Sequence, residues 1–230
     1  MILFKLNSLI TTPIYIGHSI CKNKNIKYYV YKKYNNKYFF NIFFILKYLS
    51  QAYLYLYILS KYNKNILFLN FSIKNIILIK SLANITNNFY INFSYNIDFI
   101  VNWIMFKNKL ILFNWLKQLY TIYLKYLFNY IPYNLIIKLY IIYRNLLKKF
   151  EGIEYMKILP ENIFIINSNL SSLYKNLKLK NLIILSIIDT NNFIQNISVK
   201  IIGNNKNYIV NKFIFNIVLT ALLHGSLFNK

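Results

Sequence analysis

Short apolar runs separated by helix-length stretches set the rhythm of this chain. Residues 66–69 form one such run, residues 72–85 read as a helix, and residues 89–93 form a second run. The rhythm returns at residues 163–166, 170–177 and 182–188 and ends in a strand near residues 199–202. Short β-rich runs alternating with helices predict a parallel sheet covered by helices. Ahead of the first run, residues 42–61 have the length of a buried helix. Residues 207–224 predict a closing helix, in which Ile209, Val210, Phe213, Ile214, Ile217, Val218, Ala221 and Leu222 keep one face apolar. Lys212, Asn216, Thr220 and His224 form the opposite stripe. Asn205 is placed to cap the start of this helix, and Gly225 to end it in the left-handed conformation.

Between the two alternating blocks, residues 103–150 carry no strand signal. Residues 103–128 and 133–150 each predict a long helix, and Pro132, which cannot donate a helical hydrogen bond, forces a break between them. Leu135, Leu139, Ile142 and Leu146 fall on the three-four spacing that seals an antiparallel coiled-coil hairpin. The expected organisation is a discontinuous α/β domain, residues 1–102 and 151–230, carrying an inserted helical hairpin at residues 103–150. A chain of 230 residues is long enough to bury a core of that kind.

Charge changes the picture. The formal net charge is +23, with 28 basic side chains against five acids, and the first acid is Asp98. Such a field repels itself unless a polyanion or an anionic surface neutralises it. The densest basic stretch is residues 22–37, where six lysines and four tyrosines interleave with asparagine in a pattern that fits a two-stranded excursion turning at Asn35 and Asn36. Composition is dominated by Ile, Asn, Lys, Phe and Tyr, and the only arginine is Arg144. These residues have codons built almost wholly from A and T, so biased mutation in a reduced organelle genome explains the composition better than any folding demand.

A multi-span organelle membrane protein is the competing class, because mean hydropathy is +0.36. Its best candidate span, residues 39–60, carries one charge, Lys47, and nearly matches a hydrocarbon core of about 30 Å. The same segment holds Asn41, Ser50 and Gln51, and lysine recurs every few residues almost throughout the chain, where a multi-span protein separates apolar spans from charged loops. The N-terminal 13 residues are too polar and too short for a secretory signal, and no Arg-rich transit segment precedes them. The reading is of no membrane partner.

Candidate chemistry is sparse. Gly17, Gly152, Gly203 and Gly225 are the only glycines and lie far apart, so no phosphate-cradling loop can form. Cys21 is alone, and His18 and His224 stand in no metal-ligand or nucleophile spacing. Glu151 and Glu154 lie one helical turn apart but at a predicted helix end without an apolar pocket. Asp189 follows an apolar strand, the position where α/β proteins place ligand-binding groups. Too few acids and bases remain to support an enzyme, and no cofactor, metal or small-molecule substrate is expected.

The string Ile188-Asp189-Thr190-Asn191 resembles the Val-Asp-Thr-Asn motif of the bacterial-type small-subunit ribosomal protein S2 family. Further landmarks fall in that family's order. Gly17-His18 resembles its Gly-His pair, Tyr38-Phe39-Phe40-Asn41-Ile42 its His-Ile-Ile-Asn-Leu, and Ile66-Leu67-Phe68-Leu69 its Ile-Leu-Phe-Val strand. Asn92 and Asn102-Trp103 keep their places, Glu151-Gly152-Ile153 to Met156 and Leu159-Pro160-Glu161 resemble the Gly-Gly-Ile-Lys-Asp-Met and Leu-Pro-Asp segments, and Leu222 to Gly225 close the pattern. The chain departs from the family at Asn70-Phe71-Ser72 (Gly-Thr-Lys in the family), at residues 94–98 (Arg-Trp-Leu-Gly-Gly) and at Ile202 (Pro).

The resemblance implies a three-layer α/β/α fold, Rossmann-like or flavodoxin-like, with a mainly parallel sheet and a coiled-coil hairpin. It also implies a structural, non-enzymatic place on the small ribosomal subunit, with small-subunit rRNA and neighbouring ribosomal proteins as partners. The residues expected to meet RNA are Lys22, Lys24, Lys27, Lys32, Lys33 and Lys37 for phosphates, with Tyr28, Tyr29 and Tyr31 for stacking. The expected location is an organelle ribosome, a relict plastid (apicoplast) in preference to a mitochondrion.

Overall fold

The computed structural model describes residues 6–21, 24–92, 102–126, 133–167, 171–192 and 195–229. The chain divides into two compact units, Met1–Ser94 with Pro160–Lys230, and Tyr95–Leu159.

The first unit opens with α1 (Leu6–Thr11) and a ribbon of β1 (Val30–Tyr34) and β2 (Lys37–Phe40), followed by α2 (Ile42–Lys61). Its sheet holds five strands, β3 (Ile66–Asn70), β4 (Phe89–Asn92), β5 (Asn162–Ile166), β6 (Ile183–Ile188) and β7 (Val199–Ile202), in the spatial order β4-β3-β5-β6-β7. Every pairing in it is parallel. All residues of β3 and β5 are buried, as expected of central strands covered on both faces, and Phe68 and Phe164 meet across the pair with ring centroids 5.6 Å apart. The covering helices are α2, α3 (Ile76–Ile85), α6 (Ser171–Leu179) and α7 (Tyr208–Leu227), so the unit is a three-layer α/β/α fold. The expected helix at 72–85 is a 3-10 turn, Ile73–Asn75, running into α3.

The last helix corrects two expectations. Asn207, not Asn205, caps α7, its side chain accepting from the N–H of Ile209 at 2.9 Å. Gly225 does not terminate it: the helix runs on to Leu227 and Gly225 has no positive φ. A Cβ there would run into the Tyr57 carbonyl oxygen and come within 2.7 Å of Ser60 Cβ, so glycine is present because α2 and α7 pack backbone to backbone. These two helices are also the ones long and apolar enough to cross a membrane among the described residues. In the folded chain they pack on each other, and α2 also packs on β7.

In the second unit, α4 (Trp103–Tyr126) and α5 (Tyr133–Phe150) pair through aromatic rings. Tyr143 stacks on Phe113 at 5.9 Å and on Tyr120 at 5.4 Å, and Phe150 closes on Phe106 at 4.9 Å. Leu139 and Leu146 are half-buried, but Leu135 and Ile142 are exposed, so the aliphatic stripe read from the sequence is not as a whole the seam. Glu154 pairs with Lys117, which uses up one member of the apparent Glu151 and Glu154 pair. Pro132 and residues 94–98 lie outside the described residues.

Candidate nucleic-acid interface

The basic stretch folds as the two-stranded excursion its sequence suggests. A 3-10 segment, Lys24–Tyr29, leads into β1, and the chain reverses at Asn35 and Asn36 with φ of 45° and 56°. Positive φ at both central residues is the signature of the tight hairpin turn whose twist matches antiparallel strands, and asparagine tolerates it better than other side chains. The ribbon is tied to the body at its base. The Gly17 N–H donates to the Tyr38 carbonyl at 2.7 Å, the Tyr38 N–H returns to the His18 carbonyl at 3.3 Å, and the Asn41 N–H donates to the Tyr29 carbonyl at 2.9 Å.

Register decides which side chains share a face. Lys33 lies opposite Tyr38, its ammonium 5.4 Å from that ring's centroid. Lys32 lies opposite Phe39 and Tyr34 opposite Lys37, with the register shifting between Val30 and Lys32. That bulge puts Tyr31 beside Lys32, whose ammonium sits 5.9 Å from the Tyr31 centroid and 5.8 Å from that of Tyr34. Lys27, Lys32, Lys33 and Lys37 are all exposed, as are Tyr28 and Tyr31. Tyr29 turns inward: its ring meets Tyr48 and Phe44 edge-on, and the two hydroxyls of Tyr29 and Tyr48 lie 3.3 Å apart. Burial, then the Tyr48 hydroxyl, push the Tyr29 phenol up to about 12. Tyr29 is therefore an anchor of the ribbon. Lys22 lies outside the described residues, and Lys24 is placed by its backbone alone.

A second polar constellation sits at the carboxyl ends of the strands. Asp189 is fully buried, and its Oδ1 accepts from the N–H of Thr190 at 2.6 Å and of His18 at 3.3 Å, while Oδ2 accepts from the N–H of Asn205 at 3.1 Å. His18 Nε2 approaches Oδ2 to 3.4 Å, close enough for charge attraction but not aligned as a hydrogen bond. Burial pushes the carboxyl above the ordinary carboxylate range, against the opposing pull of His18 and of the three backbone donors. The donors come from the N-terminal segment, the end of β6 and the end of β7, so Asp189 fastens three pieces of chain together. Gly17 is part of the joint, since a Cβ there would fall 2.8 Å from Thr190 Cγ2.

The topological switch point, where α/β folds bind nucleotides, lies between β3 and β5. There Asn70 closes on its own turn, accepting from the Ser72 N–H at 2.9 Å and donating to Asn92 Oδ1 at 2.9 Å.

Gly17-His18 and Asp189-Thr190, two landmarks of the resemblance, are thus one physical joint. A sequence model of the family described as ribosomal protein S2 matches residues 9–225. The chain belongs to the ribosomal protein S2 family. A small ribosomal subunit protein uS2c from Toxoplasma gondii is 72% identical over 233 residues, with 100% of this chain and 100% of that protein covered. As an S2 protein the chain is a structural component of the small subunit of an organellar ribosome and not an enzyme. Asp189, read from the sequence as a possible ligand-binding group, serves this S2 fold as a fastener. Tyr34 and Tyr38, which the sequence alone does not single out, are brought beside Lys32 and Lys33 by the ribbon. Strict alternation was the available signal for Lys33 and Tyr38, whereas the bulge that gathers Tyr31, Lys32 and Tyr34 is a backbone event with no residue code of its own.

Proposed function

We propose that this S2 protein is held on small-subunit rRNA by the lysine-rich ribbon, with Lys22, Lys24, Lys27, Lys32, Lys33 and Lys37 neutralising phosphates and Tyr28 and Tyr31 meeting bases or riboses. The observation that carries this reading is a hairpin hydrogen-bonded to the body at its base, on and beside which Lys27, Lys32, Lys33 and Lys37 are exposed, with no acidic residue in the first 97 positions to neutralise them. Lysine contacts to phosphate release condensed counterions and supply affinity without reading sequence, while the packed α/β body holds the charges in register. Neighbouring ribosomal proteins are the other partners. The location proposed is a plastid ribosome, supported by the A/T-built composition and by the full-length likeness to a uS2c protein of Toxoplasma gondii. The pair of helices at residues 103–150 is taken as an insertion between the two halves of the α/β domain, residues 1–102 and 151–230.

Co-sedimentation tests the role. The protein is expected to travel with small subunits at low salt and to leave them at high salt. If about five phosphates are neutralised, log affinity falls with log salt at a slope of about −4. Extraction only by detergent, or absence from intact small subunits, would overturn the reading.

A further inference from the structure

The ribbon has two different faces, and one of them is built for more than charge. Bulging of β1 between Val30 and Lys32 brings Tyr31, Lys32 and Tyr34 together, with Lys37 opposite Tyr34. Both rings stand in solvent, Tyr31 at 73% and Tyr34 at 60% exposure, yet both lie within 6 Å of one ammonium. Lone exposed tyrosines need no explanation in a chain with 23 of them. Two flanking a lysine on a hairpin with a tight asparagine turn make a preorganised surface, because the backbone that sets their spacing is fixed by the ladder and by the tether at Gly17 and Tyr38.

We infer that the Tyr31-Lys32-Tyr34 face is a stacking site for unpaired RNA nucleotides, with Lys32 and Lys37 placed for the adjoining phosphates. This rests on the proposed RNA-facing role of the ribbon and narrows it to single-stranded rather than duplex RNA. The chemistry selects the strand state. Bases within a duplex are already stacked on one another and offer a protein only groove edges and phosphates, whereas a loop base has a free π-face that an aromatic side chain can cover. Phosphates alone would be served as well by Lys33 on the other face, so the paired rings add a preference that charge cannot supply. The cation-π contacts of Lys32 keep its ammonium over the rings until a phosphate replaces them.

Fluorescence anisotropy of the full-length protein with labelled 12-nucleotide oligo(U), 12-nucleotide oligo(A) and a 12-base-pair RNA duplex, over a series of salt concentrations, separates the two claims. The double variant Tyr31→Leu with Tyr34→Leu keeps apolar bulk and every charge. It is expected to bind both single strands about tenfold more weakly, with an unchanged salt slope and unchanged duplex affinity. Tyr31→Phe with Tyr34→Phe keeps the π-faces and is expected to bind as the parent does. Wild-type affinity of the leucine variant for both single strands, or equal losses on single strand and duplex, would overturn the stacking site. Lys33→Gln with Lys37→Gln is expected to flatten the salt slope on every probe. If RNA binding shows no salt dependence in any of these proteins, the ribbon's broader role fails instead. Thermal melts of each variant, expected to match the parent because both rings are exposed, confirm that folding is retained.

Discussion

His18 and Asp189 stand 171 positions apart in the chain, yet the N–H of His18 donates to Asp189 Oδ1 and its ring approaches Oδ2 to 3.4 Å. The contact locks the N-terminal segment, and through it the base of the basic ribbon, onto the ends of β6 and β7. Replacing Asp189 by Asn keeps the shape but sets an amide donor against a backbone donor such as the Asn205 N–H. Loss of a buried acceptor of this kind costs about 1–3 kcal/mol. Urea unfolding should show that loss for Asp189→Asn and a smaller one for His18→Ala, which keeps the backbone bonds. Equal stability of Asp189→Asn and the parent would show that the joint contributes nothing.

Gly225 sets two effects against each other. Alanine in a helix interior is favoured over glycine by about 1 kcal/mol. The added Cβ meets the Tyr57 carbonyl and Ser60, however, and overpacking a tight contact costs about 1–3 kcal/mol. Backbone cannot swing aside as a side chain can, so Gly225→Ala should lower the melting temperature. An increase would mean that α2 and α7 separate at little cost.

Tyr29 should titrate late. Its folded value is raised to about 12 from 10.0, so the folded state keeps a proton that the unfolded chain gives up. The stabilising contribution is therefore whole below about pH 10 and is lost as pH rises toward about 12. Carbon-13 NMR of ring-labelled protein, with Tyr29→Phe used to assign the resonance, should show the Tyr29 phenol titrating well above the ordinary 10.0. A midpoint near 10 would contradict the half-buried pairing with Tyr48.

The helical pair of residues 103–150 tests packing against charge. Phe113 is buried and touches Tyr143 and Phe150, so Phe113→Ala should cost about 3–5 kcal/mol. Glu154 pairs with a Lys117 side chain that is 38% exposed, and Glu154→Gln should cost no more than about 1 kcal/mol. Hydrogen exchange of α4 and α5 amides should accelerate strongly in the first variant and little in the second. The reverse order would mean that charge, not the aromatic stack, holds the helices together.

Asparagine does glycine's usual work in this chain. Asn35, Asn36, Asn63, Asn87, Asn167, Asn181 and Asn196 all have positive φ, and no glycine does. After α2, the N–H of Asn63 returns to the Ser60 carbonyl and that of Lys64 to the Leu59 carbonyl, the closure usually built around glycine. Asn63→Gly should leave stability unchanged or raise it slightly, whereas Asn63→Ala should lose about 1 kcal/mol, since alanine pays the left-handed penalty. Calorimetry that ranks alanine above glycine would refute this account.

The same substitution explains how far the sequence could be read. Periodicity placed α2 at residues 42–61 and the strands of the sheet, because burial on both faces demands continuous apolar runs of strand length whatever the codon bias. The hairpin turn at Asn35 and Asn36 was legible because its backbone needs left-handed residues at two adjacent positions. Gly225 misled, since a glycine near a helix end has two uses, and only the neighbouring helix decides between a terminus and a close crossing. The helical pair was misread in its seam for a like reason: aliphatic spacing fits more than one face, and the facing rings of Phe113 and Tyr120 determine which one is buried. Alternation and charge are local properties, and the chain carries them along its length. The bulge that groups Tyr31 with Tyr34, the joint between His18 and Asp189, and the crossing at Gly225 depend on what lies opposite in space, and that is fixed only when the chain has packed.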